Sequence, residues 1–293
     1  MLRDVKHTVT DGLLGFATAT GDGRSLKIGV SPVVSDTPII ITGDMDATKI
    51  KDRLGLSPLA DAVMDSVQFG ASRIYCLPVS ATTAGKLGNV SKSGDGSGSI
   101  TVDGSPTNAF SVVVKFTAQG QLNTAAFVYS IDGGNTFTDE ITVPVNGTYE
   151  ITGTGLKLKF TEASEEDQKP SSFLANDSYS FTTTAPTMTN GDVLAAFTKL
   201  QKFAEEYEFI HVVGESDLDL WQAVSEAQIE LRDTYHKPVF VVFEAKYPTS
   251  SDEEPDLMGG GDLTDWALEM EAKRKKVKNY DIQVVTAWGR LVK

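Results

Sequence analysis

A single cysteine, Cys76, is all the thiol chemistry available to this chain of 293 residues, which excludes an internal disulfide framework and a zinc site built from several cysteines. Flanked by Tyr75 and Leu77 in a strand-like run, it reads as a small core residue, with no helix N-terminus beside it to activate the thiol. Histidine is nearly as scarce. His7, His211 and His236 each stand alone, so no His-Glu-x-x-His pair exists to hold a catalytic metal. Basic residues are outnumbered, 26 Lys+Arg against 40 Asp+Glu, giving a net charge of −14. That balance excludes nucleic-acid binding as a default, because such affinity comes from cations neutralising phosphates. Long apolar runs are missing too: no window approaches the ~18 apolar residues of a membrane span, and the stretch from Met1 to His7 carries no signal-peptide core. The expectation is a soluble protein made in the cytoplasm, without membrane insertion.

Motifs for small-molecule chemistry are also lacking. There is no Gly-Lys-Ser/Thr phosphate loop and no Gly-x-Ser-x-Gly nucleophile elbow. Gly21-Asp22-Gly23 has Leu26 where a dinucleotide fingerprint needs its third glycine, and Gly94-Asp95-Gly96-Ser97-Gly98 has no helix after it to receive a pyrophosphate. The acidic clusters Glu165-Glu166-Asp167 and Asp252-Glu253-Glu254-Pro255-Asp256 lack the ligand spacing of a calcium loop and read as solvated loops. The expectation is therefore no catalytic residue, no cofactor, no metal and no enzymatic activity. His211, inside Phe209-Ile210-His211-Val212-Val213, reads as a hydrogen-bonded core imidazole.

What is present falls into three regimes. Residues 87–185 are rich in Gly, Ser, Thr and Asn, with alternating runs at 110–116, 126–131 and 156–160 that read as strands. Asp132-Gly133-Gly134-Asn135 and Asn146-Gly147 supply hairpin turns between them. This predicts an all-β, sandwich-like module. Within it, Ser130-Ile131-Asp132-Gly133-Gly134-Asn135-Thr136-Phe137 resembles the Asp-box, a hairpin in which Asp and Ser/Thr side chains satisfy local backbone donors and do no catalysis.

The flanking regimes alternate strand and helix. A strand at 38–42 precedes a helix capped by Asp46 and stopped by Gly55; Ser57-Pro58 then starts a second helix with Leu59, Val63 and Val67 on one face, and a strand follows at 73–79. After the β-rich regime come a helix beyond Asn190 with Val193, Phe197, Leu200 and Ala204 inward, and a strand at 209–213. A helix opening on Ser216 with Asp219 then leads to a strand at 239–243. A third helix follows, capped by Asp262 with Leu263, Ala267, Met270 and Val277 inward, and a last strand at 282–288. The fold class expected is α/β, with α+β as the variant: a mixed, largely parallel sheet with helices, interrupted by the inserted β module. The division expected is a discontinuous core, residues 1–86 plus 186–293, around an inserted surface domain, 87–185.

The segments Ile39-Ile40-Ile41-Thr42-Gly43, Arg53-Leu54-Gly55, Leu59-Ala60-Asp61-Ala62-Val63-Met64 and Gly70-Ala71-Ser72-Arg73-Ile74-Tyr75-Cys76-Leu77-Pro78-Val79 resemble, in this order, contractile phage tail sheath proteins. So do Val193-Leu194-Ala195-Ala196-Phe197, Ile210-His211-Val212-Val213-Gly214 and Lys237-Pro238-Val239-Phe240-Val241-Val242-Phe243. The resemblance implies a structural subunit of a phage or prophage virion tail, self-associating into a helical polymer around a tail tube protein and meeting baseplate and terminator proteins. It implies contraction by rigid-body rearrangement, with the β-rich insertion on the outside. Sheath proteins usually add a C-terminal arm after the last strand, whereas this sequence ends at Trp288-Gly289-Arg290-Leu291-Val292-Lys293; residues 3–10 fit an N-terminal arm adding a strand to an open edge. The basic stretch Lys273-Arg274-Lys275-Lys276 with Lys278 suits a helix C-terminus and a head-to-tail contact with the acidic run at 252–256. A second reading makes the β module a carbohydrate- or host-surface-binding element with Tyr129, Phe137, Tyr149 and Tyr179 as stacking faces. A third is an α/β enzyme with its site at strand ends near Gly43 or Gly214.

Overall fold

The computed structural model describes residues 24–246 and 264–286. Its principal sheet has six strands: β1 (Ser25–Val30), β2 (Ile39–Thr42), β3 (Arg73–Val79), β13 (Phe209–Ser216), β14 (Phe240–Ala245) and β15 (Ile282–Val285), in the order β15-β14-β13-β1-β3-β2. All neighbours are parallel except β2, which runs antiparallel to β3 at one edge. From β1 the chain winds first towards β3 and then, after β13, away on the other side, a doubly wound arrangement.

Each helix follows from local signals. In α1 (Ala47–Leu54) the Asp46 side chain accepts from the Lys49 N–H, and Gly55 ends the helix at φ 69°, donating its N–H to the Lys51 carbonyl. A Cβ at Gly55 would lie 2.4 Å from Pro32 Cγ, so glycine serves both the left-handed turn and the close contact. In α2 (Pro58–Gln68) Ser57 caps through Ala60, with Pro58 at the first position. The start of α3 (Asn190–Leu200) differs from expectation: Asn190 is already helical, and Thr189 forms a reciprocal capping box with Asp192. Ala204 lies beyond that helix and is exposed. Likewise α4 (Leu218–Asp233) is capped by Asp217. Ser216 is instead the last residue of β13, donating to the Glu244 carbonyl at 2.6 Å and accepting from Trp221 Nε1 at 2.8 Å. In α5 (Thr264–Lys275) the inward residues are Trp266 and Met270, while Ala267 is exposed. Asp262, Leu263 and Trp288 lie outside the described residues.

Helices α3, α4 and α5 cover one face of the sheet, where Leu26, Ile28, Tyr75, Leu77, Ile210, Val212, Val241 and Phe243 meet Phe197, Trp221 and Met270. Helices α1 and α2 cover part of the other face through Ile50, Leu54, Leu59 and Val63 against Ile41, Ile74, Cys76 and Val213. Strand β2 is a half-exposed edge strand.

Between β3 and α3 lie the antiparallel strands β4 (Lys86–Leu87), β5 (Ser91–Ser93), β6 (Ser99–Gly104), β7 (Ser111–Ala118), β8 (Ala126–Ser130), β9 (Ile141–Thr142), β10 (Thr148–Ile151), β11 (Leu156–Thr161) and β12 (Ser178–Thr184). They form a three-stranded sheet, β10-β11-β6, and a larger one in which β12, β7, β8 and β9 pair in succession, with β4 and β5 on the free side of β12. The two sheets share one apolar cluster built on Val112, Val114, Phe116, Phe127, Leu158, Phe160, Phe173 and Phe181. The mixed, largely parallel sheet with five helices and the additional antiparallel sheets agree with the expected fold class.

Candidate functional site

The crevice at the carboxyl ends of β1 and β3 is where open α/β sheets usually bind ligands. A cavity of about 250 Å³ opens there, bounded by Val30, Ser31, Pro32 and Ser80 on one side and by Ser105, Pro106 and Thr107 on the other. Its wall contains no carboxylate, imidazole, amine or thiol. Two of its hydroxyls are engaged elsewhere, Ser31 Oγ donating to the Leu54 carbonyl at 2.7 Å and Thr107 Oγ1 to that of Gly153 at 3.1 Å.

Titratable groups converge instead inside the sheet. Lys27 of β1, His211 of β13 and Glu244 of β14 project from the same face, and Lys27 pairs in register with both His211 and Cys76. Lys27 Nζ is 2.8 Å from His211 Nδ1, and His211 Nε2 is 2.9 Å from Glu244 Oε1. A lysine ammonium must donate to Nδ1, which leaves the proton on Nε2 to be donated to the carboxylate. One neutral imidazole thus joins a buried cation to an anion. Lys27 is only 5% exposed, and burial pushes its ammonium below the usual lysine range against the pull of Cys76, Glu244 and Asp65. Burial works to raise the Glu244 carboxyl, but the hydrogen bond from His211, with the Gly214 N–H and the positive charge of Lys27, outweighs it and the net direction is down. The Cys76 thiol is pushed up to about 12 by burial, as befits a core residue. The chain Lys27–His211–Glu244 runs from a buried lysine to a carboxylate that is 43% exposed, and is read as a tie across three strands. Sequence reasoning placed His211 as a hydrogen-bonded core imidazole but did not connect it to Lys27 or Glu244.

The Asp-box turn has the expected form. Asp132 Oδ1 accepts from the N–H groups of Asn135 and Thr136, each at 3.0 Å, its Oδ2 accepts from Thr136 Oγ1 at 2.6 Å, and Ser130 Oγ accepts from the Gly134 N–H. Gly133 and Gly134 supply the positive φ values of 78° and 95°. Hydrogen bonds from Ser130 and then Thr136 hold the Asp132 carboxyl well below the usual carboxylate range. A carboxylate with a depressed folded-state pKa stabilises the fold above its unfolded value and loses that contribution as pH falls below about 4. Asp132→Ala is therefore expected to cost roughly 1 kcal/mol at neutral pH, an amount kept small by the exposure of the side chain. The difference should shrink below that pH in urea titrations; an equal gap at pH 3 and pH 7 would contradict it.

Other sequence features find structural roles. The loop from Gly94 to Gly98 is pinned by Lys92 Nζ, which donates to the carbonyls of Gly96 and Gly98, and by Tyr179 Oη, which donates to Gly98 at 2.9 Å. Glu166 pairs with Lys169 at 2.6 Å. Of the basic stretch, Lys273 reaches Asp217 and Glu269, each at 2.8 Å. Arg274 donates to the carbonyls of Val277, Asn279 and Ile282, and Lys275 pairs with Glu271. These cations hold α5 to its own chain. Among the proposed stacking residues, Tyr179 is buried in the β cluster, Tyr129 and Tyr149 pack on each other at 5.8 Å, and Phe137 is exposed. His7, Gly21 to Gly23, residues 3–10 and the acidic run at 252–256 lie outside the described residues. Among the described residues no group of three His, Cys, Asp or Glu side chains is placed to hold a metal ion, and no helix is long and apolar enough to cross a membrane.

One further surface stands out. Among the described residues, strands β14 and β15 are packed by helices on one face only, while β13 meets α2 on the other face through Val213. On the other face, Phe240 is 57% exposed, Phe209, Val242 and Val285 are half-buried, and Gln283 is exposed. Among the described residues no helix packs over β14 and β15 on this face.

A doubly wound α/β sheet carrying antiparallel sheets between its third strand and third helix, with one face bare over β14 and β15 among the described residues, is the class of protein these observations define. The chain belongs to the DUF2586 family, whose N-terminal domain matches residues 2–291. No curated protein matches it. Among solved structures it is similar to a sheath tail protein from Desulfitobacterium hafniense, with a TM-score of 0.44 and 14% identity over 82% of this chain and 52% of that one. It is also similar to a sheath tail protein from Listeria innocua, with a TM-score of 0.36 and 15% identity over 78% of this chain and 49% of the other. The chain thus spans about half the length of these structures.

Proposed function

We propose that this chain is a structural subunit of a contractile phage or phage-like tail sheath, polymerising in helical rings around a tail tube and contracting by rigid-body rearrangement. The observation that carries the reading is the half-bare parallel sheet. Parallel sheets are covered on both faces, so β14 and β15, bare on one face among the described residues, call for a second layer, and a neighbouring copy in a polymer supplies one. The segments that resemble sheath proteins in sequence fall on β2, α1, α2, β3, α3, β13 and β14, the elements of the α/β layer. In this reading residues 1–86 plus 186–293 form the assembling core, and 87–185 form an inserted domain on the outer surface. The partners are further copies, the tail tube protein, and baseplate and terminator proteins at the ends; the location is the virion tail, assembled in the bacterial cytoplasm. The role needs no bond chemistry.

The test is co-expression of the full chain with the adjacent tail tube protein, viewed by negative-stain electron microscopy. Tubes with helical striations are expected. Phe240→Glu is expected to abolish them while leaving thermal stability within about 0.5 kcal/mol, as for other exposed positions. Tube partner alone, with the full chain remaining soluble and unassembled, would sink the proposal.

A further inference from the structure

The α/β layer and the antiparallel sheets are joined by little more than two crossing segments. Residues 80–85 carry the chain out of β3 and residues 185–188 bring it back to the Thr189 cap of α3. The two run side by side, held by an isolated antiparallel bridge in which Thr83 N donates to the Thr187 carbonyl at 3.3 Å and Thr187 N to that of Thr83 at 2.9 Å. On the α/β side the crossing is anchored, because Thr82 donates through both N and Oγ1 to Asp192, at 3.2 and 2.7 Å, in the first turn of α3. On the far side β4 continues directly into pairing with β12.

Elsewhere the seam is thin. The apolar clusters of the two parts are separate, apart from Leu56, which reaches across to the β cluster and lies over Gly153 in the turn between β10 and β11. The cavity of about 250 Å³ keeps the walls at Pro32 and Pro106 apart. A side-chain hydrogen bond clasps the seam away from the crossing: Asn108 Nδ2 donates to Asp61 Oδ2 of α2 at 2.8 Å. Asn108 is only 8% exposed, and its own Oδ1 accepts from the Ala109 N–H, so the side chain is held ready for that partner.

We propose that the Thr83–Thr187 bridge is a hinge and the Asp61–Asn108 hydrogen bond its latch, so that releasing the latch lets the antiparallel sheets swing as a unit over the α/β layer. Two adjacent strands make an axis with freedom in one direction, and a single hydrogen bond, with a net contribution of about 1 kcal/mol, is a clasp that load from a partner can open. The inference does not depend on the assembly the chain enters.

The experiment uses the full chain with spin labels on Lys51→Cys in α1 and Lys115→Cys in β7, both exposed, while Cys76 is fully buried and stays unlabelled. Pulsed electron–electron double resonance is expected to give one narrow distance. Asn108→Asp, which sets two carboxylates face to face, is expected to broaden that distance and shift it, and Asp61→Ala to broaden it. The exchange Asp61→Asn with Asn108→Asp restores a donor and an acceptor and is expected to restore the narrow distance. An unchanged narrow distance in both single variants would overturn the latch, as would a broad distance in the unaltered chain. Circular dichroism of each variant separates swinging from unfolding.

Discussion

His211→Leu is expected to destabilise the protein by about 2–4 kcal/mol, with most of that loss recovered in the double variant Lys27→Met/His211→Leu. The reason lies in the tie across β1, β13 and β14. Removing the imidazole takes the acceptor from Lys27 Nζ at 2.8 Å and the donor from Glu244 at 2.9 Å. Lys27 is almost wholly enclosed, so its charge is not screened by solvent, whereas the Glu244 side chain is 43% exposed and can rehydrate. Most of the cost therefore sits on the lysine, and methionine at position 27 removes it while filling similar volume. A double-mutant cycle by urea unfolding reads the coupling; additive single effects would mean that the two residues do not depend on each other.

The same site has a pH signature. Burial lowers the folded-state pKa of Lys27, so between that value and the unfolded value the unfolded chain binds more protons. Stability then rises with pH across that alkaline window. Lys27→Met should remove this rise, and an unaltered profile in the variant would show that the amine is not the group responsible.

Much of the α/β layer was legible because its helices announce themselves. Asp46, Gly55 and Ser57-Pro58 are caps whose chemistry acts within four residues, so the sequence alone suffices to place α1 and α2. Central strand β1 was not visible, although every residue in it is buried. Lys27 breaks the apolar run and Gly29 weakens it, and only the tertiary partners His211 and Glu244 make a lysine tolerable there. A signal did exist. Lys27, His211 and Glu244 each interrupt an apolar run and each occupies the same side of its strand, so three misplaced polar residues of matching parity mark one polar seam. It could be read only once β1 was recognised as a strand between β3 and β13. Short strands such as β4, β5 and β9, two or three residues each, carry too little alternation to be seen at all. The half-bare face escaped for another reason. Phe240-Val241-Val242-Phe243 looks equally apolar on both sides, and only the placement of the helices decides which side is left open.

Phe116→Ala is expected to cost about 3–5 kcal/mol, and to cost it in only one part of the molecule. The Phe116 ring is fully buried, stacked on Phe173 at 4.6 Å with 9° between planes, and meets Phe127, Phe160 and Tyr179 at 6.0–6.3 Å. Those rings come from β7, β8, β11 and β12 and the turn before β12, so one truncation loosens both antiparallel sheets together. None of them touches the cluster under α3, α4 and α5. If residues 87–185 form a unit of their own inserted into a discontinuous core, hydrogen exchange in Phe116→Ala should accelerate through β6 to β12 while β1, β3 and β13 keep their protection. Calorimetry should then resolve an early transition ahead of the main one. The converse variant, Trp221→Ala under the principal sheet, should move the other transition, because Trp221 is fully buried among β13, β14 and α4 residues. A single transition shifting as a whole in both variants would make the chain one cooperative body, and the thin seam at Thr83, Thr187, Asp61 and Asn108 would then transmit unfolding as well as fold the two parts together.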